Sequence, residues 1–468
     1  MQSFWTLDRI AAALSVNSAA QAHSGRHLST HLNTNTVFPR GTTPIRSIST
    51  DTRTIRPGDC FVALQGEHFD AHDFLDQAVA AGASALVVSR PPKLETFSVP
   101  VFTVDDTLVA YGDLARYWRL AWGKPIIAIA GSNGKTSTKE LIRAALGAVY
   151  GVHATTANFN NRVGVPQTLL AIPPEAELAV VEVGTNLPGE IAILRDIVRP
   201  DIALITCIAE EHLEGLGDLD GVLKEESAIF DGVSLAITPA NQPEVAAVAQ
   251  NKAHRVISAG LDSGDLRPDS WTITPDGLGT LHFGDISISP PLRGTHNLRN
   301  TMLALAAARE CGVSLEDANR GIASATQPSM RMAWQTINHA TIINDAYNAN
   351  PASMRAAIDI LAASNAPQRV AVLGSMRELG PNAPYYHDEV AKAVVQSPAD
   401  VIAGVGELAD ALRRVAPNDP RVITATDVDD LWPQLQPRLL PHATILLKAS
   451  RGVRLERILP HITTWASA

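Results

Sequence analysis

From Pro125 onward the chain repeats one pattern: a continuous apolar run, a polar or glycine-rich break, then a longer stretch with helical spacing. "PIIAIAGS", "LAVVEVGT" and "DIALITCIA" are three such runs, and "TIINDAY", "RVAVLGS", "DVIAGVG" and "TILLKAS" are four more beyond about residue 330. Runs apolar at every position predict strands covered on both faces, as in parallel sheets, where ligands sit beyond the carboxyl ends of the strands. Before Pro125 the pattern is shorter. "CFVAL" and "ALVVS" read as buried strands, with "HDFLDQAVAAGA" as the crossover helix between them. The opening "MQSFWTLDRIAAAL" reads as a short amphipathic helix, not a signal peptide, and residues 17–44, rich in Ser, Asn, Thr and His, read as a polar loop or insertion. The pattern shifts near Trp122–Pro125 and again near residue 330. The prediction is therefore three α/β domains in a row: 1–122, a central parallel-sheet domain over 123–328, and a further α/β domain over 329–468.

Composition narrows the class. The net charge of −10, from 38 basic and 48 acidic residues, argues against a general nucleic-acid binder but permits a local cationic pocket. Cys60, Cys207 and Cys311 are far apart with no C-x-x-C spacing, as expected of reduced thiols. No apolar run approaches the ~20 residues of a membrane span. Together these predict a cytoplasmic protein.

The strand ends carry the candidate chemistry. "AIAGSNGKTSTKEL" places a glycine-rich turn between a buried strand and a helix, so that backbone N–H groups and the helix dipole face a bound anion. Lys135 is placed to reach the β and γ phosphates of ATP and the Thr136 hydroxyl to face Mg²⁺. The common form of this loop has a glycine at the position of Ile129, so only the shorter G-x-x-G-K-T is matched. Glu182 ends a second buried strand, either as an ion-paired structural acid or as a magnesium ligand. Glu211 and His212 follow a third; a histidine there is equally a plain hydrogen-bonding residue.

These motifs in this order resemble the Mur ligases, the ATP-dependent amide-bond ligases of peptidoglycan precursor synthesis. The likeness spans nearly the whole chain and includes the short phosphate loop, Glu182, His212 and "GTHNLRN". "STDTRTIRPGDCFVALQGEHFDAHDF" resembles the uridine-nucleotide domain of the family's third and fourth ligases, and "NFNNRVGVPQTLL" a substrate segment of both. "DAYNANPASMRAAI" and "VLGSMRELG" resemble the member that adds D-alanyl-D-alanine to UDP-MurNAc-tripeptide. The resemblance implies a small UDP-substrate domain, a central ATPase domain and a Rossmann-like C-terminal domain, in an enzyme that is a monomer. It implies that Gly131, Ser132, Asn133, Gly134, Lys135, Thr136 and Ser137 hold the ATP phosphates. Asn297 and Asn300 would bracket the adenine, unless they only cap or brace their helix. Arg331 and Asp345 would complete the nucleotide site. Ser49, Thr50, Asp51, Thr52, Arg53, Gln65, Gly66, Asn160 and Asn161 would contact the UDP-substrate. Tyr347, Asn348, Asn350, Lys448 and Arg451 would shape the dipeptide site. Lys135, Glu182 and His212 would be catalytic, and Thr136, Glu182, His212 and Glu226 would serve magnesium.

The sequence departs from the family in places. Where a carbamylated lysine usually supplies oxygens to a second metal, alignment of "GDLDGVLKEESAIF" puts Glu226, with Lys224 about 200° away around the helix. Glu226 is expected to serve the metal directly; the other reading is a solvated glutamate with that metal weak or lost. Ser375 stands where Asp is common, and Ala449 where Gly is usual. The alternatives in activity are the third ligase's addition of one diamino acid to UDP-MurNAc-dipeptide, folate polyglutamylation, and an ATP-hydrolysing switch that forms no bond.

Overall fold

The computed structural model describes residues 3–20, 38–90 and 97–467. Its contacts divide the chain into two compact units. The first joins the stretch up to Lys124 with Thr155–Ala176 and Ile193–Arg199; the second holds everything else.

In the first unit four short parallel strands run in the order Ile48–Ser49, Cys60–Val62, Ala85–Val88, Val101–Thr103. A one-turn 3-10 segment (Ala71–Phe74) continuing into the helix Leu75–Ala80 makes the crossover, started by the Asp70 carboxylate, which accepts from His72 N–H at 2.9 Å. The helix Thr107–Trp122 starts at Asp106, whose carboxylate accepts from Leu108 and Val109, and stops at Gly123 in the left-handed region (φ 69°). Its Arg119 side chain is buried and donates to the carbonyls of Lys124, Val198 and Arg199 at 2.9–3.1 Å. The helix also packs on Gly164–Leu170. The unit is thus assembled from three separate stretches of chain. At its start a helix covers Leu7–Ala20, so residues 17–20 continue that helix instead of opening the expected loop. Residues 21–37 of that expected insertion lie outside the described residues. Its far end is anchored: Phe38 is buried against Phe102 and Pro44–Ile45 pairs with Trp5–Thr6.

The second unit holds two six-stranded sheets. The central one is wholly parallel, in the order Val256–Ala259, Leu235–Pro239, Ile202–Ile205, Ile126–Ala130, Leu178–Glu182, Val152–Ala154. Its three inner predicted strands are buried at every position, as their unbroken apolar runs require. Helices Lys135–Gly147, Thr295–Glu310 and Leu315–Ile322 pack together over one face. A three-stranded antiparallel meander, Ser270–Ile273, Gly279–Phe283 and Ile286–Ile288, was not expected. The C-terminal sheet runs Ala333–Ile337, Ala340–Asn344, Ala443–Lys448, Gln368–Leu373, Val401–Val405, Val422–Ala425, parallel except for the first strand. That first strand is an unpredicted hairpin partner, turned at Asn338 (φ 50°).

Candidate active site

The strand Ile126–Ala130 lies between Ile202–Ile205 and Leu178–Glu182, with Ile129 opposite both Leu204 and Glu182. Ile129 is an ordinary core position, and the turn needs glycine only after it. Gly131 has φ 113°, and a Cβ there would sit 2.5 Å from Thr206 Oγ1 and 2.9 Å from the Cys207 carbonyl. Gly134 has φ 82° and opens the helix Lys135–Gly147. Between them Ser132 is fixed by its N–H to the Cys207 carbonyl (2.8 Å) and its hydroxyl to the Ala209 carbonyl (3.1 Å).

Lys135 folds back so that Nζ donates to the Gly131 carbonyl, with Glu211 Oε1 at 3.9 Å. Burial alone would lower this ammonium's pKa; the charges of Glu211, Glu226 and Glu182 outweigh it and raise it. Lys135 therefore stays a cation, among carboxylates that hold the place of an anionic ligand. Glu182 is buried and accepts from the Thr136 hydroxyl at 2.9 Å. Glu226 is fully buried and accepts from Gly131 N–H at 2.8 Å, while its Oε1 has no hydrogen-bond partner among the described residues. Lys224 is exposed. Burial raises the Glu226 carboxyl and pushes Glu211 up to about 7, with Lys135 opposing both.

His212 sits in the left-handed region (φ 50°) and its Nδ1 meets Glu378 Oε2 at 2.5 Å; Glu378 is itself at φ 63°. Two non-glycine residues in so sparse a region mark a constrained junction. Burial would lower the imidazole's pKa, but the bond to Glu378 and the charge of Glu211 raise it. Glu378 also accepts Glu214 N–H through its carbonyl, at 3.1 Å. Nothing in the sequence pointed to Glu378 as the partner of His212, although it lies in the quoted "SMRELG".

Among the described residues no three His, Cys, Asp or Glu side chains form a metal cage. Magnesium does not require one: it takes one or two carboxylates and completes its shell with water and phosphate. The Thr136–Glu182 pair and the unpartnered, buried Glu226 Oε1 are oxygen donors of the right kind, whereas His212 is turned toward Glu378.

Around the nucleotide side, Asn297 and Asn300 are buried and bonded to each other at 3.0 Å, and Asn297 Nδ2 donates to the Arg293 carbonyl. Asn300 lies against Gly134, its Nδ2 2.7 Å from where a Cβ would stand. Ser137 is buried in the first turn of the phosphate-loop helix. The Arg331 guanidinium stacks over the Tyr347 ring at 3.9 Å. Asp345 accepts from Met332 N–H and holds Lys448 Nζ at 2.5 Å; that ammonium also donates to the Asn348 carbonyl at 3.0 Å. Lys448 is thus buried in a structural ion pair. Arg451, the other cation expected at the dipeptide, is exposed and paired with Glu456 at 2.8 Å. Asn350 caps the helix Pro351–Ala363 and exchanges side-chain hydrogen bonds with Asn133. Ser375 Oγ accepts from Glu407 N–H, and Ala449 fits because Gly374 faces it without a side chain.

In the first unit, Ser49 through Arg53 form a turn in which Arg53 binds Asp51 at 2.7 Å and remains open to solvent. Thr50 bonds the Tyr111 hydroxyl, and Thr52 lies in the same turn. Gln65 and Gly66 sit in a tight bend, with Gly66 N–H on the Phe69 carbonyl at 2.8 Å. Asn160 and Asn161 belong to this same unit, and Asn161 accepts from Val163 and Gly164 N–H.

Three family models match the chain: Mur ligase family, catalytic domain, over 44–119; Mur ligase middle domain over 129–308; and Mur ligase, glutamate ligase domain, over 330–451. The UDP-N-acetylmuramoyl-tripeptide–D-alanyl-D-alanine ligase of Bacillus subtilis is 34% identical over 89% of this chain and 93% of its own. The chain belongs to the Mur ligase family. Among solved structures, this Mur ligase is similar to MurF from Acinetobacter baumannii, with a TM-score of 0.87 and 30% identity, covering 98% of this chain and 99% of that one. It is also similar to MurF ligase from Thermotoga maritima in complex with ADP, with a TM-score of 0.79 and 25% identity over 90% and 97% of the two chains. No helix of the described residues is long and apolar enough to cross a membrane.

Proposed function

We propose that this Mur ligase uses ATP to join D-alanyl-D-alanine to UDP-N-acetylmuramoyl-tripeptide, giving the pentapeptide precursor, ADP and phosphate. The supporting observation is likeness over 89% of the chain to a ligase of that name. It favours the dipeptide over the single diamino acid of the alternative. In this reading residues 1–122 bind the UDP-substrate, 123–328 the ATP, and 329–468 the dipeptide. The protein works in the cytoplasm as a monomer.

A carboxylate cannot expel oxide, so the terminal carboxylate of the tripeptide must first become an acyl phosphate. Its oxygen attacks the γ phosphorus and ADP leaves; the neutral dipeptide amine then attacks the acyl carbon and phosphate leaves. Both partners in the first step are anions, and charge repulsion is the main obstacle. Lys135 is kept cationic by its neighbours and lies at the loop that would hold the phosphates. The N–H groups opening the helix Lys135–Gly147 supply further fixed positive charge. Thr136, Glu182 and Glu226 would hold Mg²⁺, which when bound neutralises phosphate charge. Glu378 and Glu211 hold the His212 ring in place.

The test is phosphate release from ATP with UDP-MurNAc-tripeptide, with and without D-alanyl-D-alanine. Release that requires the dipeptide supports the proposal. Release on adding lysine or diaminopimelate to the UDP-dipeptide selects the alternative. Release indifferent to any acceptor sinks both.

A further inference from the structure

We propose that Asn133 and Asn350 form a latch through which the C-terminal lobe sets the shape of the phosphate loop, Asn350 being a positioning residue and not a dipeptide ligand. The inference rests on the ligase reading above. Asn133 Nδ2 donates to Asn350 Oδ1 at 3.3 Å, and Asn350 Nδ2 donates to Asn133 Oδ1 at 3.0 Å. Asn350 Oδ1 also accepts from Ser353 N–H at 2.9 Å as the cap of the helix Pro351–Ala363. Both lone pairs of that oxygen are engaged, and the residue is 5% exposed. It has little left with which to read a ligand.

The other end of the pair is equally constrained. Asn133 precedes Gly134, whose φ of 82° starts the phosphate-loop helix and whose missing side chain makes room for Asn300. The Cys207 thiol faces the Asn133 carbonyl at 3.6 Å. The loop tip is therefore gripped by its own sheet, by the helix Thr295–Glu310, and, through the Asn133 side chain, by the C-terminal lobe. Only Ala349 separates Asn350 from Tyr347 and Asn348, so a ligand that moves their loop pulls on the turn that carries Lys135. The pair is neutral, and two matched amides specify one geometry in a way that a single ion pair does not.

A double-mutant cycle tests the latch with Asn133→Ala, Asn350→Ser and the double variant. Serine keeps an N-cap oxygen for Ser353 but is too short to reach Asn133. Affinity is read by titration with a fluorescent ATP analogue without acceptor, and KM and kcat by phosphate release. Each single change is expected to weaken nucleotide binding roughly 5–10-fold and to lower kcat. The double variant should equal the worse single, and the dipeptide KM should stay within about twofold. Thermal unfolding of Asn350→Ser should match the parent. Multiplicative losses in the double variant overturn the latch. So does a raised dipeptide KM with unchanged nucleotide affinity, which would make Asn350 an acceptor ligand. The titration needs no acceptor and decides the latch even if the parent enzyme couples no dipeptide, an outcome that would defeat only the ligase reading.

Discussion

Glu226 has one oxygen on the Gly131 N–H and the other buried without a hydrogen-bond partner among the described residues; the Lys135 charge acts on it but does not bond that oxygen, which leaves it open to a metal ion. Glu226→Gln keeps an acceptor for Gly131 and removes the charge. The Mg²⁺ concentration giving half-maximal rate should rise about tenfold, since losing one charged ligand costs on the order of 1–2 kcal/mol. Lys224→Ala should leave that titration unchanged, because Lys224 is exposed on the far side of its helix. A carbamate on Lys224 would contradict both. His296 gives a second test. Burial pushes its imidazole down to about 4, with Asp345 opposing and Lys448 and Arg299 reinforcing. The unfolded chain takes up a proton near pH 6.5 and the folded chain only near 4. The group's contribution is therefore intact above pH 6.5 and is lost as pH falls through that window. Denaturant titrations at pH 7 and pH 5 should show the parent losing on the order of 1–2 kcal/mol more than His296→Gln. At this scale Lys135 and Glu182 were legible because a strand end and a glycine turn announce themselves locally. The partners of His212 and Asn133 were not, since Glu378 and Asn350 lie 166 and 217 residues away.

Among elements, those buried on both faces were legible and those half exposed were not. The strands Ile126–Ala130 and Val401–Val405 are apolar throughout. The meander strand Ser270–Ile273 and the hairpin strand Ala333–Ile337 mix exposed and half-buried positions, and no apolar run marks them. A turn signal was present in "TPDGLG", where Gly277 has φ 84°. Helix contacts hid a similar cue. Gly321 in Leu315–Ile322 lies so close to the phosphate-loop helix that an added Cβ would stand 2.0 Å from the Ala144 carbonyl. Gly321→Ala must push the two helices apart, at a cost of about 1–3 kcal/mol. A melting point lowered by several degrees checks this; an unchanged one would mean the helices part freely.

At the scale of the whole molecule, the break at Trp122–Pro125 was visible in the pattern, but the makeup of the first unit was not. Residues 155–176 and 193–199 join it through contacts that no local pattern encodes, among them Ile197 against Gly112 and the carbonyls that hold Arg119. A fragment ending at Lys124 should therefore fail to unfold cooperatively in a calorimeter or should aggregate, because it strands a buried guanidinium and bares the face that packs on Gly164–Leu170. A sharp, reversible transition for that fragment would refute this. The same discontinuity bears on heredity. A gene crossover at the seam near residue 124 delivers an amino-terminal lobe whose missing pieces are encoded downstream in the other parent. Exchange of that lobe between lineages can succeed only when all three segments travel together, or when the recipient's own segments already match.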